Sequence, residues 1–394
     1  MYKTGNEDIQ KNGGIGRFGL YLLMIKDRLG LSKSQPTEHT THLAEAISWL
    51  TRAQDATPDD GFARAYNLIL GWEPSYPETT GYIIPTLIDY YHQSKNEAIL
   101  KIAIKAADWL LGQQFPEGGI PGGTVATMPK KPTIFNTGQV IFGWVNTYNE
   151  TGDEKYKDAV DRACKWLFEA QDENGAWTKH GSVVATYGLN TYNVRTAWAM
   201  IRGGEITGND DFINAALKNI DWALTQRNSN GWFENNCLTD NNKPLTHTIA
   251  YAIRGILECG LAASRTDYVD AAIDSARKVL GRLREDGYLA GRFDNKWNAA
   301  AGYSCLPGTC QMSIIWSKLS SLGKDKEFLE GAGKALDYVC SIQNVTTGNL
   351  NTRGGIKGSY PIDGQYGRFE FPNWAAKFFA DAVMEFQKAS DKQL

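Results

Sequence analysis

Residues 166–177 read Trp166-Leu-Phe-Glu-Ala-Gln-Asp-Glu-Asn-Gly-Ala-Trp177. An apolar and charged run ends here on an aromatic–Leu–Gln segment, and Asn-Gly then breaks it. Gly suits the left-handed turn that stops a helix. The same signature recurs along the chain. Trp49 opens WLTRAQDATPDDG, Trp109 opens WLLGQQFPEGG and Trp222 opens WALTQRNSNGW; Val279 opens the weaker copy VLGRLREDGYL, and Tyr338 opens YVCSIQNVTTG. The intervals are 60, 57, 56, 57 and 59 residues. Six units at near-constant spacing mark a repeat architecture.

Each unit holds two predicted helices. The first ends at the motif, as in Ala98–Gln114, with apolar residues at three- and four-residue spacing. The second follows a long loop, over Thr79–His92, Asn136–Tyr148, Tyr192–Arg202, Thr246–Cys259, Thr309–Leu322 and Pro372–Gln387. These second helices carry few charges, as in Val140-Ile-Phe-Gly-Trp, and a helix apolar on most sides is buried. The first helices, such as Lys155–Glu169, carry more charge and belong in an outer layer. First-to-second loops run about 20 residues, well above the usual few. Returns are short: Asn149-Glu-Thr-Gly-Asp, Glu205-Ile-Thr-Gly-Asn and Leu322-Gly-Lys-Asp. Their Gly residues suit C-caps, and Asp or Asn can cap the next helix. Six long loops therefore gather at the N-terminal ends of the inner helices, and long loops usually carry function.

Composition narrows the class. Of 394 residues 42% are hydrophobic, enough for a large core. Lys plus Arg total 41 against 44 Asp plus Glu. That balance argues against a nucleic-acid partner, which needs a basic excess. No run of about 18 uncharged apolar residues exists, so no transmembrane segment is expected. Ile15–Gly30 carries Arg17, Lys26, Asp27 and Arg28 and lacks a small-residue cleavage site. It reads as a packing helix, with an interfacial membrane helix as the alternative. Cys164, Cys237, Cys259, Cys305, Cys310 and Cys340 are dispersed through a large chain, as reduced thiols in a cytoplasmic protein are.

The six-hairpin plan resembles (α/α)6 toroids over about residues 40–390. The Gln171–Trp177 and Gln226–Trp232 turns are similar to the Gln–Trp repeats of the prenyltransferase and terpene-cyclase group. The whole plan is similar to six-hairpin glycosidases, toroidal polysaccharide lyases and uronyl epimerases. The resemblance implies an all-α toroid over residues 39–394, with residues 1–38 as an N-terminal extension. It leaves the activity open.

No cofactor is expected. GxxxxGK[ST], GxGxxG and GxSxG are absent, and Glu117-Gly-Gly-Ile-Pro-Gly-Gly123 lacks the preceding strand that a phosphate site needs. Asp59-Asp60 sits in a turn rather than in the acidic cluster of a terpene cyclase. Cys237, His247, Cys305 and Cys310 together could supply four zinc ligands, but without CxxC or HExxH spacing.

Two constellations carry chemistry. Glu78, just before the first inner helix, and Glu370, just before the sixth, face one cavity if the ring closes. Glycosidic cleavage needs one carboxylic acid to protonate the leaving oxygen and one carboxylate to assist water or attack carbon. A Glu at a helix N-terminus also stabilises the helix dipole without any catalytic task. The second set is Tyr192, Arg195 and His247. Arg195 would neutralise a uronate while His247 or Tyr192 exchanges the C5 proton, as β-elimination or epimerisation requires. The substrate-binding candidates are Tyr76, Asn136, Asn190, Tyr251, Tyr303, Asp363, Tyr366, Arg368 and Asn373. Trp177 and Trp232 belong to the repeated turn and read as packing elements, and His180 reads as a solvated loop residue. The leading expectation is a glycoside hydrolase acting on an oligo- or polysaccharide, with uronic acid as a candidate constituent. A uronate lyase or C5-epimerase is the alternative, and a non-catalytic glycan or lipid-carrier module is the third reading. Any ligand is expected at the long-loop face.

Overall fold

The computed structural model describes residues 16–392. Residues 1–15 of the expected extension, and 393–394 of the expected toroid domain, lie outside the described residues. Helix α1 (Arg17–Arg28) precedes six helical hairpins. The pairs are α2 (His39–Asp55) with α3 (Pro77–Ser94), α4 (Glu97–Leu111) with α5 (Ile134–Thr151), and α6 (Glu154–Glu169) with α7 (Val194–Thr207). They continue as α8 (Asp210–Thr225) with α9 (Thr246–Ala262), α10 (Thr266–Leu280) with α11 (Leu306–Ser321), and α12 (Glu327–Ile342) with α13 (Asn373–Asp391). Each second helix packs on the next, and α13 returns to α3. The chain is a closed (α/α)6 toroid.

Sequence periodicity explains the two layers. In α6 the buried residues are Tyr156, Ala159, Val160, Ala163, Cys164, Trp166 and Leu167, a single stripe. In α5 burial is unbroken from Ile134 to Val145, because neighbours surround that helix. The returns cap as their sequences dictate. Gly152 and Gly208 adopt left-handed conformations after α5 and α7. Asp153 then accepts from the Lys155 N–H at 3.2 Å, and Asn209 from the Asp211 N–H at 3.0 Å.

The repeated Gln–Gly turn is the joint between hairpins. Gln114 donates through Nε2 to Gly118 O at 3.0 Å in its own turn and to Ala159 O at 2.9 Å in the next outer helix. Gln171 repeats this with Gly175 O and Ala215 O, at 3.0 and 2.9 Å. Gln343 closes the ring, donating to Gly354 O at 2.7 Å and to His42 O of α2 at 3.2 Å. Gly354 has φ +79°, and a Cβ there would overlap the Glu45 carbonyl oxygen of α2. Glycine is required because the turn presses backbone against backbone. Trp177 is buried and donates to Leu167 O at 3.0 Å; Trp232 is buried against Trp297. Both are packing elements.

Short strands occur only within the long loops of the described residues. They are β1 (Ala65–Asn67), β2 (Gly71–Trp72), β3 (Ser304–Cys305), β4 (Ser359–Tyr360) and β5 (Glu370–Pro372). β1 pairs antiparallel with β2 and with β5, setting Asn67 opposite Glu370. This register fastens the first long loop to the sixth and fixes where Glu370 stands.

Candidate active site

A cavity of about 560 Å³ opens at the N-terminal ends of the inner helices. The structure brings Glu78, Glu370, Tyr192, His247, Tyr76, Tyr251 and Tyr366 to its wall. Glu78 stands in the first turn of α3, after Pro77, where a carboxylate meets free N–H groups and the positive end of the helix dipole. Its Oε2 accepts from the Tyr76 hydroxyl at 2.5 Å. Burial nevertheless pushes the Glu78 carboxyl up to about 7, opposed by the Tyr76 bond and the Arg195 charge.

Glu370 is held differently. Its Oε1 accepts from Arg64 Nη2 at 2.7 Å and from Asn67 Nδ2 at 3.3 Å. Arg64 is itself clamped, donating through Nη2 to Glu73 Oε1 at 2.8 Å and pairing through Nε with Glu73 Oε2. Burial raises Glu370 above the usual carboxylate range, and the Arg64 charge opposes it. The two carboxylates thus differ in kind. Glu78 has a neutral phenol as its hydrogen-bond partner, and Glu370 has a guanidinium. Environments that separate two carboxylates in this way suit an acid and a base.

Much of the remaining lining is aromatic. His247 packs at a tilt against Tyr251, with ring centroids 4.4 Å apart, and lies 5.2 Å from Tyr366; Phe135 packs against Tyr192 and Tyr251. Burial holds His247 down to about 3, with the Arg195 charge acting in the same direction. Gln311 Nε2 donates to His247 Nδ1 at 2.8 Å and to Pro307 O at 3.3 Å, so the neutral ring carries its proton on Nε2. Burial raises the Tyr192, Tyr251 and Tyr366 hydroxyls. These groups donate hydrogen bonds as phenols and are poor bases at neutral pH.

Other predicted residues lie elsewhere. Arg195 does not line this cavity. It lies behind Tyr82 and Tyr251, donates through Nε to Gln139 Oε1 at 2.6 Å, and is ringed by Tyr82, Phe142, Trp198, Tyr251 and Phe378. Asn136, Asn190 and Asn373 are buried ties. They donate to Pro121 O at 3.1 Å, Tyr187 O at 3.1 Å and Ala63 O at 2.9 Å, holding the loops onto the helix starts. Tyr303 is buried outside the cavity and accepts from Arg292 Nε at 3.2 Å. Asp363 pairs with Arg28 of α1, and Arg368 is exposed over the Phe369 ring. Backbone carbonyls take the three asparagine amides, while side chains take Arg195, Tyr303 and Asp363.

The wall also holds residues that the sequence reading did not select. Tyr82 lies one helical turn after Glu78, so helical spacing points to it; Trp374 stands in the first turn of α13, with no such partner to single it out. Arg64 was one of several loop arginines with nothing to single it out. Thr124, Thr127, Val183 and Val184 come from irregular loops, where spacing gives no direction. Among the described residues no group of three or more His, Cys, Asp or Glu side chains is arranged to hold a metal ion. Cys305 is buried, its thiol pushed up to about 12, and His247 Nδ1 is occupied by Gln311.

Residues 31–166 match the family model of the beta-L-arabinofuranosidase GH127 catalytic domain, and residues 124–259 match that of pectic acid lyase. No curated relative matches the sequence. Among solved structures, an unsaturated glucuronyl hydrolase specific for heparin has TM-score 0.72 at 14% identity, covering 90% of this chain and 98% of its own. An unsaturated glucuronyl hydrolase responsible for glycosaminoglycan degradation, from Bacillus sp. GL1, has TM-score 0.71 at 13% identity, covering 88% and 96%. The cellobiose 2-epimerase of Bacillus thermoamylovorans has TM-score 0.67 at 15% identity, covering 92% and 99%. The chain shares the six-hairpin toroid of these glycosidases and sugar epimerases.

Proposed function

We propose that the protein is a carbohydrate-active enzyme, a glycoside hydrolase that cleaves an oligo- or polysaccharide in the long-loop cavity. The observation that carries this reading is that Glu78 and Glu370 line the same cavity in unlike environments. Glu78, half protonated near neutrality, donates the proton to the leaving oxygen. Glu370, fixed by Arg64 and Asn67, activates the attacking water or itself attacks the anomeric carbon as the leaving oxygen departs with the proton from Glu78. Tyr251, Tyr366 and Trp374 offer flat faces for sugar rings, with few polar groups to orient them. The partial match to a beta-L-arabinofuranosidase catalytic domain supports the reaction class. The glucuronyl hydrolases among the similar structures support a uronic-acid-containing substrate. All six cysteines are free and buried, which supports a reducing, cytoplasmic compartment.

The test is a panel of neutral and uronate-containing oligosaccharides read by mass spectrometry. Release of a hydrolysed sugar by the native protein, and none by a Glu78→Gln/Glu370→Gln variant that melts normally, is the expected result. Unchanged release by that variant would reject the mechanism.

A second reading rests on the Tyr192, His247 and Tyr251 wall and on the pectic acid lyase match over residues 124–259. There a phenol, once ionised, would take the C5 proton of a uronate, and the His247 Nε2–H would supply one. A lyase product absorbs ultraviolet light at its new double bond, and an epimerase incorporates solvent deuterium at C5. The same panel separates these outcomes from hydrolysis.

A further inference from the structure

Helix α1 carries an apolar stripe turned to solvent. Phe18 is 75% exposed, Tyr21 60% and Leu29 67%, with Leu22 and Ile25 also exposed. Positions 18, 21, 22, 25 and 29 follow helical spacing and form one face. The opposite side, Leu20, Leu23 and Met24, packs on the body of the protein. A packing helix, as the sequence reading preferred, accounts for that inner side and leaves the outer stripe unexplained.

The exposed charges on α1 and its following turn are of one sign, with Asp363 beside Arg28 and Asp286 near Lys33. Arg17, Lys26, Arg28 and Lys33 are exposed. The one acid of α1, Asp27, is 2% exposed and accepts from Lys357 Nζ at 2.7 Å and from the Ile362 N–H at 2.9 Å. Arg28 pairs with Asp363. These bonds tie α1 to loop 343–372, the segment that gives Tyr366, Gly367 and Glu370 to the cavity. The helix therefore sits on the same face as the mouth.

The rim continues the pattern. Ile69 and Leu70 are exposed at the β1–β2 turn, Met128 is exposed beside Lys130 and Lys131, and Val183 and Val184 are exposed where they line the mouth. Most exposed large apolar side chains of the described residues fall on α1, its following turn or these loops; Phe168, Leu261 and Leu322 are the exceptions. An apolar surface gathered on one face and edged by cations complements a layer of acyl chains under anionic headgroups. No helix among the described residues is long and apolar enough to cross a membrane, and an interfacial helix does not need to be.

We infer that α1 and the long-loop rim dock on an anionic lipid bilayer, turning the cavity mouth toward the headgroup layer. A glycan presented at that surface would enter without passing through bulk water. The inference does not depend on the glycosidase reading, since vesicle binding is measured without turnover.

The experiment is flotation of the full chain with phosphatidylcholine vesicles and with vesicles that also contain phosphatidylglycerol. Binding should be strong to the anionic vesicles, weak to the neutral ones, and reduced by salt. A Phe18→Ser/Tyr21→Ser/Leu29→Ser variant should bind at least tenfold more weakly, with little change in melting temperature because these side chains are mostly exposed. A Leu29→Trp variant should show, relative to the native protein, an added emission that shifts to the blue with anionic vesicles. Failure to bind either vesicle, or an added emission that does not shift, would overturn the inference. A solution dimer that the triple variant dissociates would also overturn it, by assigning the face to a second copy of the chain.

Discussion

The Tyr76 hydroxyl donates to Glu78 Oε2 at 2.5 Å, across the first turn of α3. The bond stabilises the charged form of a carboxyl that burial pushes up to about 7. A general acid works only while protonated, so activity should fall on the alkaline side near that value. Tyr76→Phe removes a bond to the anion and raises the Glu78 pKa further. The alkaline limb of the kcat/KM profile should therefore move to higher pH, with a plateau loss of roughly tenfold or less. A limb that stays in place would show that Glu78 does not set it.

Glu78 also links stability to pH. Its folded pKa of about 7 lies above the ordinary 4.5, so the folded state binds the proton more tightly than the unfolded chain. Its contribution is fully present below pH 4.5 and is lost as pH rises through about 7. Glu78→Gln should therefore melt above the native protein at pH 8, by roughly 2–3 kcal/mol after allowance for cavity water, and level with it at pH 4. Sugar release by the same variant should fall by about 10²–10⁴-fold. Equal melting curves at both pH values would remove the shifted carboxyl from the account.

Arg64 joins Glu73 to Glu370 and opposes the effect of burial on Glu370. Arg64→Met takes away the opposing charge, so the Glu370 pKa rises. A base must be ionised to act, and the acidic limb of the kcat/KM profile should move to higher pH. Arg64→Lys keeps the charge and should restore most of the limb's position while losing the two-sided clamp. An acidic limb indifferent to both substitutions would exclude Glu370 as the base.

Ring closure can be tested by two glycines in unlike settings. Gly354 has φ +79° and faces the Glu45 carbonyl at the joint between α12 and α2; Gly152 has φ +69° and nothing within 4 Å of a built Cβ. Gly152→Ala should lose only the left-handed preference, about 1 kcal/mol. Gly354→Ala should lose more, on the order of 3 kcal/mol, because backbone must move. Equal losses in thermal melts would mean that the joint carries no special constraint.

The toroid was legible because its signals repeat. Gln114, Gln171 and Gln343 each perform the same double hydrogen bond, and a feature used that often leaves a period in the sequence. Site placement was legible where a residue's position on a helix fixes its direction. Glu78 and His247 face the cavity from the first turns of inner helices, and Tyr251 stands one turn after His247. It failed where polar residues had unseen backbone partners. Asn373 reads as a sugar ligand in sequence, yet its amide is spent on Ala63 O and Thr79 Oγ1. The Glu370–Arg64 contact was hidden because it needs the β1–β5 register, a pairing across some 300 residues that no local pattern encodes.

Arg195 separates the two chemical readings most sharply. A uronate-neutralising arginine must reach the cavity, but this side chain is 2% exposed, tied to Gln139 and enclosed by rings. Its charge instead acts from behind the cavity lining, lowering both Glu78 and His247. Arg195→Gln should therefore leave the ratio of KM values for uronate and neutral glycans unchanged. It should raise the Glu78 pKa and move the alkaline limb to higher pH, the same direction as Tyr76→Phe. A thermal melt shows whether the variant is folded, since losing a hydrogen-bonded buried group can destabilise by a few kcal/mol. A folded Arg195→Gln protein with a selective rise in KM for uronate substrates would place the guanidinium on the substrate and favour proton abstraction over hydrolysis.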